Sequence, residues 1–276
     1  MSGGFVGGLR HHGEMAKRTL TRRVHLVEGR PWKDALIAFL EPRSPYRPWR
    51  TGAGIGPGDV VVATLGTEPR ILLAAARIGA DLDVGRALAA VDRRPERGLL
   101  NLADVEDAAG TTVPGEPGPL PDALGEHLVH ALDGFIEDTR QDRLGHSSAA
   151  AARILLASDG ECSGCGSPLK LRDKAARDEV HIRTLSADAA PIVDWPAALC
   201  SRCRRAMDRG GFTTFIEYRF ALQPRCPRCS AQRTRSMVFG MPSRPPREFM
   251  PPWQRSMGCC RITASQWTCG DCEHQW

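Results

Sequence analysis

GECSGCGSPLKL, residues 160–171, and AALCSRCRRAM, residues 197–207, each hold a Cys-x-x-Cys pair. A two-residue gap lets two thiolates point into one tetrahedral site from a tight turn, so each pair is half of a zinc site. Two further pairs follow, Cys226/Cys229 and Cys269/Cys272, and none precedes Cys162/Cys165. Eight of the ten cysteines fall into this pattern. Four halves make two structural zinc ions. Sequential pairing joins Cys162/Cys165 with Cys200/Cys203, and Cys226/Cys229 with Cys269/Cys272. A crossed arrangement stays open, because the 22 residues between Cys203 and Cys226 also suit a finger.

Composition sets the bounds. At 276 residues the chain has room for two or three small domains. No apolar run reaches the ~18 residues of a membrane span, and the start, MSGGFVGGLRHHGEMAKR, lacks a secretory apolar segment. These features predict a cytoplasmic protein without membrane contact. In that compartment metal binding outranks disulfides, the alternative that spacing leaves open. Eight thiolates and two zinc ions would bring the formal charge of +5 to about +1, so whole-chain charge says little about partners. Its distribution says more. Residues 80–145 carry 14 Asp/Glu against 6 Arg, whereas 200–276 carry 13 Arg, no Lys and 5 Asp/Glu. The asymmetry points the tail towards an anionic partner, and arginine forks onto phosphate and guanine. An ordinary arginine-rich surface is the plainer reading.

Outward from the cysteines the chain reads as a multidomain α+β protein. Residues 1–20 form a leader. Over 21–95, VHLVEG reads as a strand and PWKDALIAFLEP as a helix bounded by Pro31 and Pro42. The turn Gly56-Pro57-Gly58-Asp59 leads into a strand from Val60, and Gly66–Pro69 turns into ILLAAARI, a returning hairpin strand. Residues 96–150 form a linker and helices. TTVPGEPGPLP is loop, and Leu124, Leu128, Leu132, Phe135 and Ile136 recur at helical spacing behind a capping Asp122. SSAAAARILLAS is a second helix entering the zinc module of 151–210, and a second zinc module fills 211–276.

The first module resembles the zinc-stapled branch of the HNH endonuclease superfamily. Cys162, Cys165, Gly166, Leu199, Cys200 and Cys203 carry the match over about 155–210. The resemblance implies a strand after the first knuckle, a ββα core, and His181 of DEVHIRTL as the general base. It also implies ligands for a catalytic divalent metal (Mg, Mn or Ni). There the chain departs from the family: Val180, Trp195 and Arg204 stand where His or Asp, Asn, and His or Asn belong. Asp178, Glu179 or Asp194 substitute only in a shifted register.

QPRCPRCSAQRTRSMVFGMP and GCCRITASQWTCGDCEHQW resemble a zinc ribbon, with Cys260 in the family's Gly-Gly-Cys strand and Cys259 beside it. Arg225, Arg228, Arg233, Arg235 and Arg261 surround it as candidate nucleic-acid contacts. Trp267 and Trp276 either stack on bases or fill its small core. SRPPREFMPPW reads as a rigid insertion. Residues 25–90 resemble PUA/EVE-like domains, which hold modified or flipped bases, and this makes Trp49 a candidate stacking residue. A small packing barrel is the plainer reading.

Two functions follow. One is a DNA-binding, HNH-type nuclease of restriction and defence, cutting DNA chosen by modification. The other is a non-catalytic zinc scaffold that binds nucleic acid, or a protein partner through the ribbon.

Overall fold

The computed structural model describes residues 22–41, 43, 46–91, 99–133, 143–186, 194–240, 250–258 and 264–276. The leader, Pro42, Phe135, Ile136, Cys259, Cys260 and Arg261 lie outside them. The described chain is mixed α/β, consistent with an α+β class.

Strand β1 (Val24–Gly29) is buried along its whole length, as expected for a strand covered on both faces. Pro31 opens helix α1 (Trp32–Leu40), and Glu41 closes it. After the short β2 (Trp49–Thr51), strands β3 (Val60–Leu65) and β4 (Ile71–Arg77) form the expected antiparallel hairpin, with an irregularity between Ala63 and Thr64. β1 pairs with β3 in parallel, so α1 serves as the crossover that a parallel pair requires. Helix α2 (Val84–Ala89) follows, capped by the Asp83 carboxylate, which accepts from the Arg86 amide.

The linker expected from residue 96 contains β5 (Leu100–Asn101) and α3 (Leu102–Ala109), and the TTVPGEPGPLP loop holds β6 (Gly118–Pro119). Its Gly and Pro residues obscure a short period: Leu102 and Val105, three apart, are the buried positions of α3. The sheet order is β2-β1-β3-β4-β5, with β6 also on β1. The expected barrel is therefore a mixed sheet covered on both faces. Leu26, Val62 and Leu72 point to α3 and to α4 (Asp122–Asp133), whereas Val27, Val61, Ala63 and Leu73 point to α1 and α2. Asp122 is the first residue of α4 rather than its cap. Gly125 lets α4 sit on β1, since a Cβ there would lie 2.6 Å from the Val24 side chain.

Helix α5 (Ser148–Ala157) connects this sheet to the cysteine modules. Ser147 caps it, accepting from the Ala150 amide at 3.1 Å. It packs on α1 and also on the two-stranded sheet of β7 (His181–Arg183) and β8 (Ala197–Leu199). Buried residues of the N-terminal sheet, α5 and the first cysteine module form one cluster. Polar ties reinforce it: Lys33 Nζ donates to the Arg177 carbonyl at 3.0 Å, and Arg177 pairs with Asp34 at 3.1 Å. Arg177 belongs to helix α6 (Lys174–Asp178). Helices α7 (Ser201–Gly210) and α8 (Phe215–Ala221) follow, then a three-stranded sheet ordered β10-β9-β11. Its strands are β9 (Thr234–Val238), β10 (Gln254–Ser256) and β11 (Trp267–Cys269). Among the described residues no helix is long and apolar enough to cross a membrane.

Candidate metal centres

The sequential pairing of cysteines matches the geometry. The sulfurs of Cys162, Cys165, Cys200 and Cys203 lie within 4.8 Å of one another, as do those of Cys226, Cys229, Cys269 and Cys272. Sulfur separations of 3.9 Å for Cys165–Cys200 and 3.6 Å for Cys226–Cys272 and Cys229–Cys269 suit four thiolates around zinc. A zinc–sulfur bond of ~2.3 Å gives tetrahedral sulfur–sulfur edges of about 3.8 Å. All eight thiols are free. Each quartet can therefore hold one structural metal ion, and the donor set fits zinc.

Local folding builds the first quartet. The Gly166 amide donates to the Cys162 carbonyl at 2.8 Å, closing the CSGC knuckle. The strand expected after it is reduced to one bridge, Glu161 with Pro168, because the chain turns back at once. β8 holds the knuckle from the other side: Ser163 N donates to the Ala198 carbonyl at 2.8 Å, and the Ala198 amide donates to Ser163 Oγ at 3.1 Å. Cys200 both ends this strand segment and caps α7, accepting from the Cys203 amide at 3.5 Å. The Arg219 guanidinium donates to the Gly164 carbonyl, and Tyr218 hydrogen-bonds the Cys203 sulfur.

Without a cation the four thiols share charge unevenly. Burial pushes the Cys203 thiol up, and the neighbouring Cys162 adds to the shift. At Cys165 burial acts in the same upward sense. Hydrogen bonds from Ser167, Cys203 and Cys162 outweigh it and bring the thiol to about 6. One thiol that ionises readily beside one that resists is a set whose full deprotonation needs a cation.

Strand register builds the second quartet. Cys269 lies opposite Thr234 in the antiparallel β9–β11 pair, and the Gly270 amide donates to the Arg233 carbonyl at 2.7 Å. Both knuckles thus sit at one end of the sheet. The amides of Asp271 and Cys272 donate to Cys269 Sγ at 3.4 Å.

His181 begins β7 opposite Leu199, half-buried. Burial, then Arg204 and Arg183, lower its pKa, with Asp208 opposing. Its imidazole makes no side-chain hydrogen bond among the described residues. Val180 is buried, Trp195 lies edge-on to Trp253 at 5.7 Å, and Arg204 is exposed. Asp178 and Glu179 are exposed on and just after α6. Asp194 is buried and already saturated. It binds the Arg183 guanidinium and accepts from the amides of Trp195 at 2.8 Å and Phe215 at 2.7 Å. Among the described residues the two thiol quartets are the metal-competent groups of His, Cys, Asp and Glu.

The candidate contacts Arg225, Arg228, Arg233 and Arg235 are exposed, and none has an ion pair among the described residues. Arg235 lies on β9, and Arg233 immediately precedes that strand. Trp49 is half-buried, and its ring lies against Gly29 and Gly85. Trp267 and Trp276 are half-buried, and Trp276 stacks on His274 with centroids 5.8 Å apart.

Sequence reasoning missed the groups that brace the first quartet: Ser163, Tyr218 and Arg219. The one available signal was the amphipathic FIEYRFA, whose Phe215 and Tyr218 are buried three residues apart. Trp253 was also missed. It packs edge-on to Phe215 at 5.4 Å and under the Arg219 guanidinium at 5.2 Å, joining the two modules. No protein-family model, curated protein or solved structure matches the chain.

Proposed function

We propose that this chain is a non-catalytic, zinc-scaffolded protein that binds DNA through the arginines of its C-terminal ribbon. The observation that carries this reading is the exposed, unpaired set Arg225, Arg228, Arg233 and Arg235 on a module ordered by four thiols. A metal-stapled frame would fix the backbone that carries these guanidinium groups, so ordering on meeting phosphate would be confined to the side chains. The first module is then an HNH-like frame that keeps its structural thiol site but lacks ligands for a catalytic metal, since Asp194, the buried carboxylate near β7 among the described residues, is consumed by Arg183 and two amides. Arg261, by its place between the two knuckles of the ribbon, joins the contact set in this reading.

Duplex DNA binding should weaken steeply with salt, with a slope of about 0.9 per phosphate contact. Arg233→Ala with Arg235→Ala should remove about 1.8 units of that slope. Binding indifferent to salt would exclude the reading and point to a protein partner of the ribbon.

One observation favours the nuclease reading: burial and two arginines favour neutral His181, the protonation state of a general base. Its test offers modified and unmodified DNA with magnesium, manganese or nickel. A live site would cleave, and His181→Ala would slow cleavage by about 10²–10⁴-fold. Absence of cleavage with binding retained is the outcome expected here. Base selection by the N-terminal sheet, if present, would use the outer face of Trp49, and a Trp49→Ala variant that bound modified and plain DNA alike in place of a discriminating parent would reveal it.

A further inference from the structure

Helix α7 is clamped to the first metal site along one side and carries its arginines on the other. At 3.6 residues per turn, Cys203 and Met207, its two buried residues, lie on the inward side. Arg202, Arg205 and Arg209 fall within about 60° of arc on the outward side, at i, i+3 and i+7. All three are exposed, and none has an ion pair among the described residues. Arg205 makes one recorded side-chain contact, donating to Ser201 Oγ at 3.2 Å. Of the remaining charged residues of the helix, Arg204 lies nearer the inward side, and Asp208 lies at i+3 and about 60° from Arg205, with no ion pair between the two among the described residues. The arc from Arg202 to Arg209 itself carries three cations and no anion.

We infer that this Arg202–Arg205–Arg209 ridge is a second DNA-phosphate-binding surface, on the first zinc module and separate from the ribbon. The inference rests on the DNA-binding reading above and adds where the first module meets the nucleic acid. Seven residues of helix span about 10 Å, and the same length of duplex presents about six phosphate charges. Three guanidinium groups at that spacing can meet a phosphate row without any of them leaving water. An acidic protein surface fits less well. A stable protein interface needs a desolvated apolar or aromatic centre, and no such side chain lies among the three arginines. The metal makes the ridge rigid: Cys200 caps the helix and Cys203 anchors its inner side, so closing the quartet fixes the direction in which the arginines project.

The test compares four full-length proteins, each first checked for two zinc ions per chain. They are the parent, Arg202→Gln/Arg205→Gln/Arg209→Gln, the corresponding triple lysine variant, and Arg233→Ala/Arg235→Ala. Binding to one duplex is followed from 50 to 200 mM salt. The glutamine variant should lose about 2.7 units of salt slope, and the ribbon variant about 1.8. The lysine variant should keep the parent slope, because phosphate reads charge here rather than fork geometry. A glutamine variant with the parent's slope, while the ribbon variant loses its share, would overturn the ridge and leave the DNA-binding reading standing. A parent that fails to bind at 50 mM salt would overturn both. Equal losses in the glutamine and lysine variants, with zinc intact, would also overturn the ridge, since charge would then not be what the surface supplies.

Discussion

At Gly164 an added Cβ would sit 2.9 Å from the Cys203 sulfur and 3.3 Å from the Tyr218 ring. Neither neighbour can yield, because one is a ligand of the first quartet and the other is buried behind it. Gly164→Ala should therefore halve the metal content from two ions per chain to one, leaving the second quartet filled. Metal analysis of the purified variant decides it, and two retained ions would show slack in the knuckle. A different residue governs acid stability. Asp59 accepts from the amides of Gly56 at 2.8 Å and Arg23 at 3.3 Å, and faces His25 Nε2 at 3.2 Å. The Gly56 amide leads, with Arg23 and His25 adding and burial opposing, in holding its pKa below the ordinary 3.8. A carboxylate with a lowered folded pKa contributes stability that is complete above its unfolded value. That contribution drains away as pH falls through the folded value. Asp59→Asn should flatten the unfolding free energy as pH falls below about 4, measured by denaturant titration, and an unchanged acid limb would remove Asp59 from the account.

Helix α7 begins on a metal ligand, so one side chain has two separable duties. Serine caps a helix about as well as any residue but makes a poor zinc ligand. Cys200→Ser should lose the first metal ion and keep the cap. Cys200→Ala should lose both and be less stable than the serine variant by about 1 kcal/mol. Denaturation of the two variants in chelator measures that difference, and equal stabilities would deny Cys200 its capping role. The same scale shows what could be read from the chain. The knuckles and the β3–β4 hairpin were legible because each is written in adjacent residues: a two-residue ligand gap, or a turn between β-branched runs. Helix α3 was not, since eight residues with two buried positions give a period too short to stand out from flanking Gly and Pro. The parallel β1–β3 pair was illegible for another reason, as register between strands 36 residues apart leaves no local mark.

Over the whole molecule the first metal site and the N-terminal sheet share one buried cluster, with α5 packed on α1 and on β7 and β8. A zinc ion held in each quartet would contribute folding free energy on the order of 10 kcal/mol before competing costs. Removing the first should thus be felt far from the thiols. Chelation is expected to speed hydrogen exchange of the β3 amides, Val60–Leu65, by at least about tenfold, and unchanged protection would show that the sheet stands alone. Ion pairs such as Arg177–Asp34 and Arg183–Asp194 follow no spacing that the sequence marks, which is why the partners of Asp194 were visible only in the structure. Helix α5 has a further consequence, for descent rather than stability. Ala149, Ala152 and Leu155 are fully buried members of the shared cluster. A recombination joining this N-terminal sheet to a foreign cysteine module would put mismatched surfaces on the two sides of that helix. Exchange of either half alone is therefore expected to be tolerated poorly, and a change of volume on one side of α5 calls for a compensating change on the other.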